Sequence, residues 1–267
     1  MVSSVLSISE IKKRIEQYRN GDIASSNGDG LFIDIFGERF NFVAESRVFK
    51  KGGEFFRARA IPDHDHIPPL KTISKVEDAW EAPSEIIKVP GRLNKIGQSI
   101  LYCCPRDPFL AIDEARAAGN KRVAIIKYRS TKDILLGSLG DYKNSDLPKD
   151  EGTELFYSFL ESEFARDIQP GDEDQYKLTQ SIADSYFNYP NQDAWYYRSV
   201  QSSEKFNLAF LPGKAKTCLE LIGVMICDVS MSQDGKLCIL SFVDFDPETG
   251  EAKYYPVNHE IRNKFLP

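Results

Sequence analysis

The sequence predicts an α+β protein, with mixed central sheets and flanking helices. Three observations lead there. Some stretches, such as residues 122–129 "RVAIIKYR", are apolar with little polar interruption, as in strands covered on both faces. Others, such as 8–18, place apolar residues at helical spacing behind a capping residue. No internal repeat, low-complexity tract or clean linker divides the chain. The expected organisation is a helical lead-in over residues 1–30 and a single domain over 31–267.

The elements follow in order. Ile8, Ile11, Ile15 and Tyr18 form an amphipathic stripe, Ser7 and Glu10 stand as a capping box, and Gly21 is the stop. "DIASSNGDG" is a loop. "LFIDIF" (31–36) reads as a strand, and "EFFRARAI" (54–61) as a second. Pro62, Pro68, Pro69, Pro83 and Pro90 make 62–90 an irregular connection. "SILYCC" is a short buried strand. "DPFLAIDEARAAGN" is a helix with Asp107 at its N-cap, Pro108 in its first turn and Gly119 past its end. After the strand at 122–129, residues 137–152 read as a Gly/Asp-rich connection. Helices follow at 153–168 and 172–187, the second with an acidic first turn that suits the helix dipole. Residues 188–199 lead from loop into strand. "NLAFL", "LELIGVMICDV", "KLCILSFVDFD" and "EAKYYPV" are the remaining strands. The dense run "LCILSFV" is expected in the core rather than at a dimer edge.

The totals exclude some functions. The 267 residues are 42% hydrophobic and 28% charged, a globular composition. Net charge is -6, which argues against a general nucleic-acid or membrane-surface binder. It leaves room for a local basic pocket that takes a phosphorylated small molecule. The five cysteines are odd in number, form no C-x-x-C and sit mostly in apolar runs, as expected of reduced thiols inside a cell. No apolar run approaches ~18 residues. The first residues lack the basic start and apolar core of an export signal, so the expected location is the cytoplasm.

The familiar catalytic motifs are absent: no G-x-G-x-x-G after a strand, no phosphate loop, no G-x-S-x-G and no H-E-x-x-H. His64 and His66 could share a metal if their segment were a strand. Two nearby prolines favour a solvated loop instead, and no metal is expected. None of the three histidines has the context of a Ser–His or Cys–His pair.

Three pieces do not read as plain fold grammar. "FFRARAI" puts Arg57 and Arg59 on one face of a strand. In "GRLN", Gly91 and Gly97 bracket Arg92 and Asn94; a glycine backbone lets a ligand approach, and arginine offers a forked cation for phosphate. Glu114 shares a helical stripe with Leu110, Ala111, Ala117 and Ala118. Taken singly, each has a structural reading: an exposed edge, a surface hairpin, a rim glutamate.

Together the pieces resemble the RES-domain family, named for an arginine, a glutamate and a serine. The blocks are "FFRAR" (55–59), with Arg57; "GRLNKIGQSILYCCPRDPFLAIDEAR" (91–116), with Arg92, Asn94, Gly97, Tyr102 and Glu114; and "WYYRSVQSSEKFNLAFLP" (195–212), with Tyr197, Ser199 and Asn207. The resemblance covers roughly residues 54–228, and its middle block is the specific one. Arg198 stands where the family commonly has proline, and Leu93 where it has an aromatic or Met.

The resemblance implies an ADP-ribosyltransferase-like fold. It also implies an enzyme that degrades NAD, cleaving the nicotinamide–ribose bond with phosphate or water as acceptor. Glu114, Arg57 and Ser199 would be catalytic; Arg92, Asn94, Tyr102, Tyr197 and Asn207 would complete the NAD site with Arg57 and Ser199. Many members are toxins paired with a helix-turn-helix antitoxin. NAD and such an antitoxin are therefore the implied partners, with no direct nucleic acid and no membrane; a homodimer is compatible. The chemistry suits these residue types. A leaving nicotinamide creates an oxocarbenium-like ribose that a fixed carboxylate stabilises, and the diphosphate calls for arginines. The rival expectations are mono-ADP-ribosylation of a protein, and a silent NAD-binding or interaction module.

Overall fold

The structure is a computed structural model and describes residues 6–23, 28–38, 40–117, 119–169, 171–233 and 236–266. Among the described residues the first helix is α1 (Ile8–Arg19), with half of the expected capping box: the Ser7 hydroxyl accepts the Glu10 N–H at 3.3 Å, while the Glu10 carboxylate accepts from Arg14. Ile11 and Ile15 face inward, and Gly21 turns the chain out of the helix at φ 79°.

The run 31–36, expected as a strand, is instead helical: α2 (Gly28–Phe36). A six-residue apolar run fits either period. Here Phe32, Ile35 and Phe36 take i, i+3, i+4 spacing and are all buried. Phe32 and Phe36 meet Phe156 edge-on at 6.2 and 5.3 Å between ring centroids. Burial of each such ring stabilises by about 1.5–3 kcal/mol, which outweighs any local strand preference.

Ten strands among the described residues form one mixed sheet. They are β1 (Ser46–Phe49), β2 (Glu54–Ile61), β3 (Leu101–Pro105), β4 (Arg122–Ser130), β5 (Ile134–Leu139), β6 (Ala194–Arg198), β7 (Phe206–Phe210), β8 (Leu219–Gln233), β9 (Lys236–Phe245) and β10 (Ala252–Pro256). Their order is β1-β5-β6-β7-β3-β2-β4-β8-β9-β10. Every neighbouring pair is antiparallel except β5–β6. The α+β class stands.

β1 has no counterpart among the predicted strands, and β5 replaces the first part of the predicted connection. Gly137 and Ser138 give β5 the look of a loop. Gly137 leaves room within the strand for the Gln192 side chain, whose amide oxygen lies 2.5 Å from where a Cβ would stand. The parallel β5–β6 step demands a long crossover. It contains α4 (Glu151–Phe164) and α5 (Lys177–Tyr186), the two helices the sequence predicts there. With α1 and α2 they cover one face of the β1–β3 half of the sheet. On the other half, α3 (Pro108–Glu114) packs against β2, whose inward residues there are Phe56 and Ala58.

α3 starts as predicted, with the Asp107 carboxylate accepting the Leu110 N–H at 2.9 Å. It ends sooner. Arg116 turns the chain at φ 50°, so Ala117 lies past the helix and Gly119 is not its cap; Ala118 lies outside the described residues. Residues 62–90 are irregular apart from two 3-10 turns, Val76–Ala79 and Ser84–Ile86. Asp65 anchors the first part by accepting the N–H groups of Lys71 and Thr72 at 2.8 and 2.7 Å. In β9, Phe242 and Val243 are buried while Leu240 is exposed. Cys103, Cys104, Cys218 and Cys227 are buried free thiols and Cys238 is half-buried. Among the described residues no helix is long and apolar enough to cross a membrane.

Candidate functional site

The sheet has a seam. β2 and β3 pair at two positions, Phe55–Pro105 and Phe56–Cys104, and then diverge. β2 continues along β4, and β3 continues along β7. A cavity of about 500 Å³ opens beside this divergence, and Arg57 and Cys103 are among its lining residues. Its volume falls within the range of small-molecule sites, about 300–1,000 Å³.

One wall is built from the sheet and α3. The segment after β6 carries Ser199 to the end of α3, where its hydroxyl donates to Glu114 Oε1. The Val200 N–H reaches the same oxygen at 3.1 Å. Ser199 Oγ in turn accepts the N–H groups of Gln201 and Ser202 at 3.0 and 3.1 Å, which fixes its proton toward the glutamate. A second tie, Lys205 to Asp107 at 2.5 Å, clamps the same loop to the start of α3. Both ends of a short helix are therefore bound to one loop, and that fixes the Glu114 carboxylate. Glu114 Oε2 has no hydrogen bond to a described residue.

Asn207 on β7 is 3% exposed and lines the cavity. Its Oδ1 accepts the Cys104 thiol at 3.1 Å, while its buried Nδ2 has no partner among the described residues. A buried donor without an acceptor costs about 1–3 kcal/mol, so a ligand carbonyl there would relieve a standing penalty. Tyr197 faces Asn207 across the β6–β7 ladder, and its hydroxyl makes no hydrogen bond to a described residue. Burial pushes the Tyr197 and Tyr102 hydroxyls well up, so both stay protonated donors. Burial also pushes up the Cys103 and Cys104 thiols, which makes them poor nucleophiles.

The opposite wall is built from loops. Arg92 is 9% exposed and donates to the backbone carbonyls of Glu163 and Arg166, at 3.2 and 2.7 Å, where α4 ends. Its guanidinium lies over the Tyr176 ring at 5.4 Å. α5 latches this loop from behind: Thr179 donates to the Arg92 carbonyl at 2.8 Å, and Gln180 to the carbonyls of Gly91 and Asn94 at 2.7 and 3.0 Å. Gly91 leaves room for Asn94, whose Oδ1 lies 2.4 Å from where a Cβ would stand. Asn94 itself does not line the cavity. Its Oδ1 accepts the Tyr102 hydroxyl at 2.9 Å, and that hydroxyl accepts the Leu93 N–H at 3.1 Å. Asn94 thus shapes the loop and orients Tyr102.

Arg57 lines the cavity from the seam, with a guanidinium N–H held by the Trp80 carbonyl from the 62–90 connection. Arg59, on the same strand face, donates to the Asp78 carbonyl at 3.1 Å. Arg198 stays outside the cavity, engaged by Glu161 and the Ser203 carbonyl. His64 and His66 stand exposed on their loop. Among the described residues no group of three His, Cys, Asp or Glu side chains is placed to hold a metal ion.

Several residues at the site were not singled out in the sequence. Arg116, Asp167 and Tyr176 line the cavity. Behind them Glu163, 4% exposed, accepts the Tyr18 hydroxyl at 3.0 Å and pairs with Arg166 at 2.7 Å. Since Arg92 binds the backbone of both Glu163 and Arg166, α1 supports the site through that buried carboxylate. Arg116 lay inside the most specific sequence block, and its charge beside Glu114 was the available signal. Nothing in the sequence marks Asp167, and Tyr18 was marked only as part of a helical stripe.

A family model described as RES domain matches residues 67–230, well over half of the chain. The match covers the Arg92–Glu114 and Tyr197–Asn207 blocks but begins after Arg57. No curated protein matches the chain.

Proposed function

The chain belongs to the RES domain family, and on that premise we propose that it degrades NAD, cleaving the nicotinamide–ribose bond with phosphate or water as acceptor. The observation that carries this reading is the Glu114 carboxylate. One oxygen is fixed by Ser199 and Val200 and the other has no hydrogen bond to a described residue, on the wall of a cavity that Arg92 lines from the opposite side and Arg57 from the seam. A carboxylate fixed in advance stabilises positive charge developing on the ribose without reorganising during the reaction. Nicotinamide leaves as a neutral molecule, so no acid is needed to protonate it. That suits a cavity without histidine.

Each remaining group has a part in this reading. The orphan Asn207 amide and the Tyr197 hydroxyl supply donors to a carboxamide or ribose oxygen. Three Arg92 N–H groups make no hydrogen bond to a described residue and supply donors to a phosphate. Tyr102 offers a ring face. Ser199 holds Glu114 and is not the nucleophile. The test is to incubate the purified protein with NAD, with and without inorganic phosphate, and identify the products. Nicotinamide with a phosphorylated ADP-ribose points to phosphate as acceptor, and nicotinamide with free ADP-ribose points to water. No nicotinamide in either buffer sinks the reading.

A protein acceptor is the second reading. Ile86, Val89 and Ile96 are 56–63% exposed on the segments flanking Gly91, and Val89 lines the cavity, so a macromolecule would meet an apolar rim. Label from NAD would then remain on a protein. A toxin role would pair the chain with a helix-turn-helix antitoxin. Expression should then lower cellular NAD and arrest growth, and Glu114→Ala should be harmless.

A further inference from the structure

The charges around the cavity cancel. Arg57, Arg92 and Arg116 line it, and so do Glu114, Asp167 and Glu173. Of the three arginines, only Arg116 is tied to a carboxylate of the cavity among the described residues, so it is the one cation a diphosphate would gain by displacing a protein anion. Glu114 is held by a hydroxyl and an amide, not by an arginine. The Glu173 carboxylate accepts the Gly171 N–H at 3.0 Å. Arg57 and Arg92 are anchored by backbone carbonyls. The remaining pair is Arg116 with Asp167, at 2.5 Å.

This pair spans the cavity mouth. Arg116 lies two residues past Glu114, with a left-handed backbone at φ 50° that is uncommon outside glycine and turns it off the helix axis. Asp167 comes from the opposite wall, just beyond α4, where the Ile168 carbonyl also accepts from Arg116 at 3.3 Å. The two side chains are 47% and 53% exposed, so their mutual attraction is weak and screened, and exchange for another anion costs little. A diphosphate offers the planar guanidinium two oxygens in place of one carboxylate.

We propose that Arg116 is a diphosphate-binding residue held in reserve by Asp167: the substrate's diphosphate displaces the Asp167 carboxylate and takes its place on the guanidinium. The proposal rests on the reading of NAD as substrate and adds a residue to it. No bond is made or broken; one ion pair replaces another.

The experiment uses two probes on the full chain. ADP, a diphosphate without nicotinamide, is titrated by calorimetry, and NAD turnover is followed in parallel, both at low and high salt. Asp167→Asn should tighten ADP binding and lower KM for NAD about three- to tenfold, with kcat unchanged. Arg116→Ala should weaken ADP binding about tenfold, and Asp167→Asn should have no effect on that background. Arg116→Lys should restore part of the loss. A merely structural ion pair predicts the reverse for Asp167→Asn: weaker binding and a lower melting temperature. Unchanged or weaker ADP binding by a folded Asp167→Asn protein overturns the proposal, as does the same gain in the absence of Arg116. ADP shifts as expected without NAD turnover would sink the NAD reading and leave the arginine assignment standing. Turnover of NAD with no response to Asp167→Asn would do the opposite.

Discussion

The two walls of the cavity are made differently. The wall of β3, β6, β7 and α3 uses residues fixed within regular elements, and it leaves the Asn207 amide, the Tyr197 hydroxyl and one Glu114 oxygen without partners among the described residues. The loop wall, 89–92 with 165–176, does the reverse: Arg92 is engaged by backbone carbonyls, Arg166 by Glu163, and Asp167 by Arg116 from across the cavity. Rigid elements hold polar groups in wait for a ligand, at a cost in stability, because the sheet over-determines their positions. Loops hold their charges in exchangeable pairs. The sheet wall is therefore expected to set kcat, and the loop wall to set KM.

The largest expected effect tests that division directly. Glu114→Gln should lower kcat about 10²–10³-fold, the scale of losing one preorganised electrostatic group, with KM and melting temperature nearly unchanged. Nicotinamide release and thermal unfolding check it. A Glu114→Gln protein with normal kcat breaks the comparison outright. Ser199→Ala comes next. It removes a hydrogen bond to a charged group, about 1.5–3 kcal/mol, and so should lower kcat roughly 10- to 100-fold without altering KM.

Smaller effects belong to the loop wall. Tyr18→Phe removes one hydrogen bond from the buried Glu163 carboxylate that shares its backbone with Arg92. About 1 kcal/mol of stability should be lost, and KM should rise less than about fivefold with kcat intact. A fall in kcat alone would show that the far wall shares in the chemistry. The smallest effect is expected at Asp65, which lies in neither wall. Burial pushes its carboxyl pKa up, but the Thr72 hydroxyl and the N–H groups of Lys71 and Thr72 outweigh this and hold it below the usual value. Its stabilisation is full above about pH 4, the ordinary carboxylate pKa, and is lost as pH falls through the lowered value. Melting temperature should therefore drop less steeply between pH 4 and 2 in Asp65→Asn than in the wild type, with kinetics at pH 7 unaltered.

Much of the sheet wall was legible in the sequence, for a physical reason. Asp107, Pro108 and the "SILYCC" run mark a strand and a helix by local rules, and Glu114 and Tyr102 ride on those elements. Their meeting with Ser199 and Asn207 came from the resemblance, since no local rule brings distant segments together. The loop wall was hidden because its partners are backbone carbonyls. An Arg92 bound to the carbonyls of Glu163 and Arg166 leaves no trace in side-chain pattern. α2 was misread because a short apolar run carries no period of its own until aromatic neighbours choose one. β5 was missed because Gly137 answers to Gln192, a residue far along the chain.

The hydrogen bond between Glu114 and Ser199 spans 85 residues of chain. At a synthesis rate of about 5–20 residues per second, the glutamate emerges roughly 4–17 s before the serine that fixes it. During that interval the nascent chain has its α3 sequence but neither the Ser199 loop nor β6 and β7. If the proposed NAD chemistry holds, chain order alone would keep the Glu114 carboxylate unfixed until residue 199 has been made.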